Sequence, residues 1–323
     1  MTRALVFPGQ GSQAVGMGRE LAESFATARH LFEEIDDALS QRLSRLMFEG
    51  PESELVLTEN AQPALMAVSL AVLRVLEKEG GFDLAKRTAF VAGHSLGEYS
   101  ALAAARSFAV TDAARLLKRR GQAMQRAVPV GEGAMAALLG LELDGARAVA
   151  EAARPSPGGT EAGGKDEVCS AANDNGPGQV VVSGHKSAVE RAIAIAAERG
   201  ARRSILLPVS APFHCSLMAP AAAVMEEALA EVRLDPPMVP LVANVTAAAE
   251  SAPDQIRRLL VEQVTGLVRW RESVQYMRGR GVDTVVEIGA GKVLSGLVRR
   301  IDRDLAAASV QTPAEIEAFL KGL

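Results

Sequence analysis

A short strand-like run that leads straight into a glycine-flanked serine constrains the fold of this chain more than any other feature. Residues 88–92 have the pattern of a strand, the next residues are Gly93-His94-Ser95-Leu96-Gly97-Glu98, and an alanine-rich helical pattern follows. A strand, a sharp turn and a helix around GxSxG are the context of a nucleophile elbow, which occurs in α/β folds. The junction therefore predicts an α/β chain that presents Ser95 at the start of a helix.

The chemistry of this turn favours Ser95 as a nucleophile. Glycines on both sides allow a strained backbone that projects the hydroxyl outward, at the positive end of the following helix. The backbone N–H of Leu96 is then placed to stabilise an oxyanion. A bare GxSxG also arises by chance, so the strand before it and the helix after it carry the argument for an acyl-enzyme mechanism.

A serine nucleophile needs a base, and the chain has only 4 histidines. His94 lies inside the turn, where its side chain should point away from Ser95, while His30 and His185 are expected at the surface. His214 lies where the chain should return from a middle segment to the large unit, so by elimination it is the best general base. The alternative is a loop histidine without a role.

No histidine follows His214 in the chain. In α/β-hydrolases the catalytic histidine comes late, after the last core strand and after an acidic residue. At least three strands are expected beyond His214 here. The chain therefore does not fit a standard hydrolase, and a Ser–His dyad oriented by another group is the better hypothesis.

One arginine occupies a position where an apolar residue is expected. In the helix that follows Thr111, Arg120 falls within the apolar stripe formed by Ala113, Leu116, Leu117, Met124 and Ala127. A guanidinium on a core-facing stripe is costly unless an anion pairs with it. Arg120 either extends to the surface, pairs with a structural carboxylate, or binds a substrate carboxylate through its planar fork.

Two folding units are expected from the length of 323 residues and from the order of the elements. We predict a discontinuous α/β catalytic unit over 1–128 and 208–323, with a hydrolase-like parallel sheet. Strand and helix patterns in the middle segment alternate in the order βαββαβ, which predicts an inserted ferredoxin-like unit over 129–207. The Gly- and Pro-rich stretch 154–167 within it is expected to be a surface loop.

Several helix ends are predicted from capping residues. A helix is expected over about 19–39, and a second helix is expected to begin after Asn60 as its N-cap. Thr111 is expected to cap a third helix that runs to about residue 127. This third helix is the one that carries Arg120.

Composition and charge exclude several classes of protein. With 35 basic and 39 acidic side chains, the chain lacks the basic excess of a dedicated nucleic-acid binder. No apolar run approaches the roughly 18 residues of a membrane span, and the few cysteines and histidines form no zinc pattern. We therefore expect a cytoplasmic protein without a metal site and without a nucleic-acid or membrane partner.

Two glycine-rich segments imitate nucleotide sites. Residues 9–14 fit G-x-G-x-x-A, but the acidic residues some 20 positions on lie in a helical pattern and do not end a second strand. Residues 289–292 resemble part of a P-loop, but Val286 stands where the first glycine is required. Neither segment supports nucleotide binding, and the first can instead bring the backbone of Gln10 close to a reacting carbonyl.

Six motifs in sequence order carry a family resemblance. They are Phe7-Pro8-Gly9-Gln10-Gly11-Ser12-Gln13, Gln62-Pro63-Ala64, Gly93-His94-Ser95-Leu96-Gly97-Glu98-Tyr99, Pro177-Gly178-Gln179, Phe213-His214 with Met218, and Glu287-Ile288-Gly289-Ala290-Gly291-Lys292-Val293-Leu294. Together they resemble the malonyl-CoA:acyl-carrier-protein transacylases of bacterial fatty-acid synthesis, over about residues 1–305. That family has a hydrolase-like large subdomain with a ferredoxin-like insertion, which agrees with the organisation predicted above.

The resemblance implies the chemistry of the site. Ser95 would carry a malonyl ester, His214 would act as base and then as acid, and Arg120 would bind the malonyl carboxylate. The substrates would be malonyl-CoA and the phosphopantetheine thiol of acyl carrier protein, with no permanently bound cofactor. A monomer is expected, and fatty-acid and polyketide synthesis both remain open.

The resemblance also implies roles for four further residues. The backbone N–H groups of Gln10 and Leu96 would form the oxyanion hole. The backbone carbonyl of Gln263 would orient His214, so that no acidic third member is needed. Phe213 and Leu96 match the forms associated with malonyl over bulkier methylmalonyl groups.

Two other functions share parts of this pattern. A serine thioesterase or esterase would have the same elbow but would release free malonate without a carrier. A catalytically silent scaffold would bind the carrier and never become acylated. In the transacylase the carrier is acidic, so docking is expected on basic clusters, for which the candidates are Lys118-Arg119, Arg202-Arg203, Arg269 with Arg271, Lys292 and Arg299-Arg300.

Overall fold

The computed structural model describes residues 2–154 and 167–323, which contain ten strands and fifteen α-helices. The strands are β1 Arg3–Phe7, β2 Thr88–Gly93, β3 Gly133–Leu139, β4 Cys169–Gly176, β5 Gln179–His185, β6 Arg203–Leu206, β7 Leu241–Val242, β8 Ala249–Glu250, β9 Thr284–Ile288 and β10 Ala306–Val310. The helices are α1 Arg19–Ser24, α2 Ala26–Leu39, α3 Leu43–Glu49, α4 Glu52–Leu55, α5 Thr58–Lys78, α6 Leu84–Arg87, α7 Gly97–Ala104, α8 Val110–Ala127, α9 Leu143–Ala152, α10 Lys186–Glu198, α11 Ala219–Ala230, α12 Pro253–Gln263, α13 Trp270–Gly279, α14 Val293–Ile301 and α15 Pro313–Lys321.

The larger sheet has six strands in the order β10-β9-β1-β2-β7-β8. All its pairs are parallel except the short edge pair of β7 and β8. Its central strand β1 is buried at every residue, as is typical of a parallel strand with helices on both faces. Because parallel strands end at the same edge, the loops after β1, β2 and β7 meet there. The predicted α/β fold class with a parallel sheet is confirmed.

The smaller sheet is antiparallel, with four strands in the order β4-β5-β3-β6. Helix α9 connects β3 to β4 and α10 connects β5 to β6, so the chain order is βαββαβ, as predicted for a ferredoxin-like unit. A core of its own, which includes Leu138, Val149 and Val182, lies between this sheet and its helices. The boundaries of the inserted unit at 129 and 207 stay predictions, and residues 155–166 of the predicted surface loop lie outside the described residues.

Strand β4 joins the two sheets. The backbone of Asn173 forms an isolated bridge with Val268, and the Asp174 backbone N–H donates to the Val268 carbonyl at 2.9 Å. The buried Asp174 carboxylate also pairs at 2.9 Å with Arg271 on α13, a helix that packs on the larger sheet. The ion pair and the backbone contacts act at the same place. Together they hold the small sheet next to the larger sheet, at the edge where the loops after β1, β2 and β7 meet.

Three helix predictions differ from the structure, one by a break and two at the first residue. The pattern over 19–39 is two helices, because Phe25 adopts an extended backbone with φ −129° between α1 and α2. Helix α5 begins at Thr58, so Asn60 lies inside it and does not cap it. Helix α8 begins at Val110 after an extended Ala109, which places Thr111 in its first turn. Both helices therefore begin without a side-chain cap, one residue or more before the capping residue that the sequence offers.

None of the helices in the described ranges is both long and apolar enough to cross a membrane.

Candidate active site

The serine turn is held in shape by its two glycines. Ser95 adopts a left-handed backbone with φ 53°, which is unusual for a residue with a side chain. A Cβ on Gly93 would lie 1.9 Å from the carbonyl carbon of Gly97, and a Cβ on Gly97 would lie 2.2 Å from the carbonyl oxygen of Phe7 on β1. Neither position therefore has room for a side chain, and the tight turn places the Ser95 hydroxyl at the start of α7.

The structure brings Ser95 and His214 together across 119 residues of chain. The Ser95 Oγ lies 2.8 Å from His214 Nε2, and His214 Nδ1 lies 2.9 Å from the backbone carbonyl oxygen of Gln263. Since a carbonyl only accepts, Nδ1 carries the proton and Nε2 is free to accept the serine proton. His214 is itself left-handed, with φ 59°. No acidic residue contacts the imidazole in the described part of the chain.

Burial controls the protonation of His214. The residue is only 4% exposed, and desolvation, together with the nearby Arg120 charge, lowers the pKa of His214 to about 3. The imidazole is therefore neutral at physiological pH. A neutral imidazole hydrogen-bonded to a serine hydroxyl is the arrangement of a general base and its nucleophile.

Arg120 lies beside the same hydroxyl. The side chain is 1% exposed, and Nη2 donates to Ser95 Oγ at 3.1 Å and to Gln263 Oε1 at 2.7 Å. Nη1 donates to Gln62 Oε1 at 2.8 Å, while Nε has no hydrogen-bond partner in the described residues. Within residues 2–154 and 167–323 no carboxylate forms an ion pair with this guanidinium. Of the three alternatives for Arg120, surface extension and a structural carboxylate partner are both absent from the described structure.

The two backbone groups expected to stabilise an oxyanion lie around the turn. Leu96 follows the serine directly and is buried, at the start of α7. Gln10 follows β1, and its neighbour Gly9 packs so closely on His94 that a Cβ there would lie 2.8 Å from the His94 carbonyl oxygen. The backbone N–H groups of Gln10 and Leu96 make no hydrogen bond within the described chain, so both are available to an incoming oxygen.

Two residues that sequence reasoning left without a role support the turn. Asn244, just after β7, accepts the Ser95 backbone N–H at 2.8 Å and donates to the Gly93 carbonyl at 2.7 Å. The buried carboxylate of Glu98 accepts the Asn244 backbone N–H at 2.6 Å. In the sequence, Asn244 could have been found from its position just after a parallel strand. Glu98 could have been found from its position directly after the GxSxG motif.

Among the described residues, no histidine other than His214 forms a hydrogen bond with the Ser95 hydroxyl. His94 turns away from Ser95, and its Nε2 lies 2.9 Å from Asn175 Oδ1 on β4. His185 accepts the Val168 backbone N–H at 2.9 Å within the small sheet, and His30 is exposed on α2. Phe213, which precedes His214, is buried in the large core. No group of three or more His, Cys, Asp or Glu side chains in the described residues is arranged to hold a metal ion.

Known proteins resemble this chain over its whole length. Residues 4–312 match the family model for the acyl transferase domain. A malonyl CoA-acyl carrier protein transacylase of Bacillus subtilis (strain 168) is 45% identical, covering 99% of this chain and 96% of that protein. The protein of the same name from Escherichia coli (strain K12) is 45% identical, covering 98% of each chain.

Solved structures agree in fold. An acyl-carrier-protein-S-malonyltransferase from Bartonella henselae superposes with a TM-score of 0.94 at 55% identity, covering 100% of this chain and 99% of that one. A malonyl-transacylase solved in complex with its type II PKS acyl-carrier protein superposes with a TM-score of 0.93 at 40% identity, with full coverage of both chains, 100% each. The chain described here belongs to the acyl transferase domain family, among the malonyl CoA-acyl carrier protein transacylases.

Proposed function

We propose that this protein transfers the malonyl group from malonyl-CoA to the phosphopantetheine thiol of acyl carrier protein, through an ester on Ser95. The observation that carries the proposal is the buried Arg120 guanidinium, 3.1 Å from the Ser95 hydroxyl and without an ion-pair partner among the described residues. A buried cation is costly unless an anion meets it. The free carboxylate of a malonyl thioester provides that anion while its carbonyl reaches Ser95.

In the first half-reaction Ser95 Oγ attacks the thioester carbonyl carbon, and its proton passes to His214 Nε2. The carbonyl oxygen becomes an oxyanion that accepts hydrogen bonds from the backbone N–H groups of Gln10 and Leu96. The C–S bond then breaks, and the proton on His214 passes to the CoA thiolate. The products are malonyl-Ser95 and free CoA.

In the second half-reaction the phosphopantetheine thiol gives its proton to His214 and attacks the ester carbonyl carbon. The C–O bond to Ser95 breaks, and the proton on His214 returns to the serine oxygen. The Gln263 carbonyl holds Nδ1–H in both halves, so the same imidazole nitrogen works as base and as acid in turn. Because CoA leaves before the carrier binds, the kinetics are of the ping-pong type.

Mass spectrometry of the intact protein mixed with malonyl-CoA tests the proposal. We expect one malonyl adduct on the wild-type protein and none on Ser95→Ala, because the serine oxygen forms the ester. Ser100→Ala, a buried serine two helix positions beyond the glutamate of the motif, is a control that should keep the adduct. A wild-type protein that never becomes acylated would contradict the proposal and favour a silent carrier-binding scaffold.

A serine thioesterase or esterase would differ in the fate of the ester. Such an enzyme would release free malonate quickly when no carrier is present, whereas the transferase should hold malonyl-Ser95 until a thiol arrives. Following malonate release with and without carrier protein separates the two. A cytoplasmic location and a monomeric state stay predictions.

A further inference from the structure

We propose that Glu98 is a positioning residue for malonyl recognition: through the side-chain amide of Gln263 it directs the Arg120 guanidinium towards Ser95 and leaves it open to an acyl carboxylate. The inference rests on the proposed function, because it assigns to Glu98 the preparation of the site that binds the malonyl group. Glu98 is 2% exposed and makes no contact with the serine hydroxyl or the imidazole.

The amide of Gln263 has one possible orientation. Its Nε2 donates to the Ser95 backbone carbonyl at 2.8 Å and to the Glu98 carboxylate, and its Oε1 accepts from Arg120 at 2.7 Å. A reversed amide would set its oxygen against two acceptors and its NH2 against the guanidinium. The hydrogen bond from the Arg120 guanidinium and the hydrogen bond to the Glu98 carboxylate are both charge-assisted, so these two residues hold the amide from opposite ends.

The arrangement keeps two opposite charges apart. Glu98 is the acidic residue that acts electrostatically on Arg120, but the neutral amide of Gln263 stands between them. A direct pair would be bidentate and would occupy the fork that a substrate carboxylate needs. With the amide between them, the carboxylate stabilises the buried cation at a distance, and the guanidinium keeps hydrogen-bonding positions for a ligand.

Glu98 is also joined to the serine turn. Its Oε1 accepts the backbone N–H of Asn244, whose side chain holds the Ser95 backbone. Both groups that contact the carboxylate are therefore donors. A glutamine at position 98 offers one oxygen and one NH2, so either Asn244 or Gln263 would face a donor instead of an acceptor.

The test is the rate of Ser95 acylation from malonyl-CoA and from acetyl-CoA, measured by mass spectrometry on purified Glu98→Gln. We expect kcat/KM for malonyl-CoA to fall about tenfold or more, mainly through KM, because guanidinium binding of the carboxylate is impaired. The acetyl group has no carboxylate, so the rate of acetyl transfer should change by less than about threefold. The malonyl-to-acetyl ratio thus reports recognition separately from the integrity of the dyad.

Glu287→Gln is a matched control. Glu287 is also fully buried, and its carboxylate accepts two backbone N–H groups, from Leu294 at 3.1 Å and Ser295 at 2.8 Å, at the start of α14. Its loss should lower thermal stability but leave the malonyl-to-acetyl ratio at the wild-type value. If Glu98→Gln keeps the wild-type ratio, or loses both activities equally, Glu98 is merely structural and the proposal is wrong.

Gln263→Met tests the connection without changing Glu98. Methionine has an unbranched side chain of similar length, and the backbone carbonyl that holds His214 is retained. Because the Gln263 amide also holds the Ser95 backbone carbonyl, we expect both transfers to fall, and malonyl transfer to fall further, so that the malonyl-to-acetyl ratio drops as in Glu98→Gln. An unchanged ratio would overturn the proposal even if Glu98→Gln fails to fold. Failure of the proposed function would look different, because the wild-type protein itself would then show no malonyl adduct or no preference for malonyl over acetyl.

Discussion

The charge of Arg120 reaches three parts of the site at once. It donates to the Ser95 hydroxyl and to the side-chain oxygens of two glutamines, and it helps to lower the pKa of His214. The same cation is therefore placed to serve the proposed recognition of the malonyl carboxylate and, together with burial, to keep the His214 imidazole neutral. This dual effect can be separated by experiment, because a substrate without a carboxylate depends on the base alone.

Replacing Arg120 with alanine should lower malonyl transfer far more than acetyl transfer. Malonyl transfer should fall about 30-fold to several thousandfold, the equivalent of about 2–5 kcal/mol for truncating one side of a buried charge pair. Acetyl transfer should persist or rise. Steady-state kinetics with both thioesters measures the split, and Arg126→Ala, an exposed arginine on the same helix, serves as the control. Equal losses for both substrates would make Arg120 a structural residue.

The buried imidazole should also appear in the pH dependence of folding. The pKa of His214 is about 3 in the folded protein against an ordinary value of 6.5, so between these values the unfolded chain binds a proton that the folded chain does not. The folded state therefore loses stability as the pH falls from 6.5 towards 3. Glu98, whose pKa is raised from 4.5 to about 7 by burial, acts in the opposite direction between those two values.

His214→Asn isolates the histidine contribution, since asparagine is neutral and tolerates the left-handed backbone of this position. As the pH is lowered from 6.5 to about 4, we expect the variant to lose less free energy of unfolding than the wild type, because only the opposing effect of Glu98 remains. Chemical denaturation at several pH values measures both curves, with Glu98 common to the two proteins. Parallel curves would show that His214 titrates normally.

At the residue scale, the sequence predicted the groups that break a pattern. Ser95 lies in a motif, Arg120 interrupts an apolar stripe, and His214 remains after the other histidines are set aside. Glu98 and Asn244 escaped because each resembles an ordinary residue locally, a helix-start acid and a loop amide. Their roles exist only through contacts 146 and 149 residues away in the chain, which local patterns do not contain.

At the scale of elements, the serine turn is the most tightly determined part of the molecule. The sequence predicts a strand over 88–92 before it and a helix over about 96–105 after it, and the structure has Thr88–Gly93 and Gly97–Ala104, because an apolar run and an alanine-rich run are strong local signals. The sequence pattern predicts strands near residues 239–245 and 309–312, whereas β7 covers only Leu241–Val242 and β10 covers Ala306–Val310. Short edge strands depend on their neighbours more than on their own residues.

Gly93→Ala should damage this turn severely. The new Cβ would overlap the backbone of Gly97 at 1.9 Å, and the turn can relieve the overlap only by moving Ser95. We expect a loss of about 3 kcal/mol in unfolding free energy, together with loss of acylation. Gly296→Ala is the control, because a Cβ there meets nothing within 4 Å, and a helix interior should gain about 1 kcal/mol. Wild-type stability and acylation in Gly93→Ala would contradict the assigned geometry.

At the scale of the whole molecule, the basic clusters differ in whether their side chains already form ion pairs. Most candidates for carrier docking already have acidic partners in the structure, namely Lys118, Arg119, Arg269, Arg271 and Lys292. The exposed Arg202, Arg203, Arg299 and Arg300 form no ion pair within the described residues. An unpaired surface cation is free to meet an acidic partner, so the second group is the better docking candidate.

Carrier docking on these unpaired arginines should depend on salt concentration. We expect the KM for the carrier to rise with ionic strength, and the double variant Arg299→Ala/Arg300→Ala to raise it several-fold at low salt while weakening the salt dependence. Acylation of Ser95 by malonyl-CoA should not change. Arg119→Ala, whose arginine is already paired with Glu231 at 3.0 Å, should affect the carrier KM less. A KM that is insensitive to salt would count against electrostatic docking.

The order of strands and helices in the inserted unit could be predicted from the sequence, but its contacts with the rest of the chain could not. The order βαββαβ follows from local patterns, whereas the pairing of β4 with residue 268 and the contact of His94 with Asn175 join distant parts of the chain. The residue before the nucleophile is thus anchored on the small sheet. Neither contact has a local sequence signal.

The position of β1 between β2 and β9 has a consequence for the nascent chain. β1 is synthesised long before residues 284–288, so it lacks its second neighbour until β9 has been made, and that pairing joins distant parts of the chain. Ser95 emerges early, but its base and the last central strand come much later. We therefore expect a nascent chain to accept an acyl group only after His214 and β9 have been made, and a chain that ends before His214 to stay without acylation.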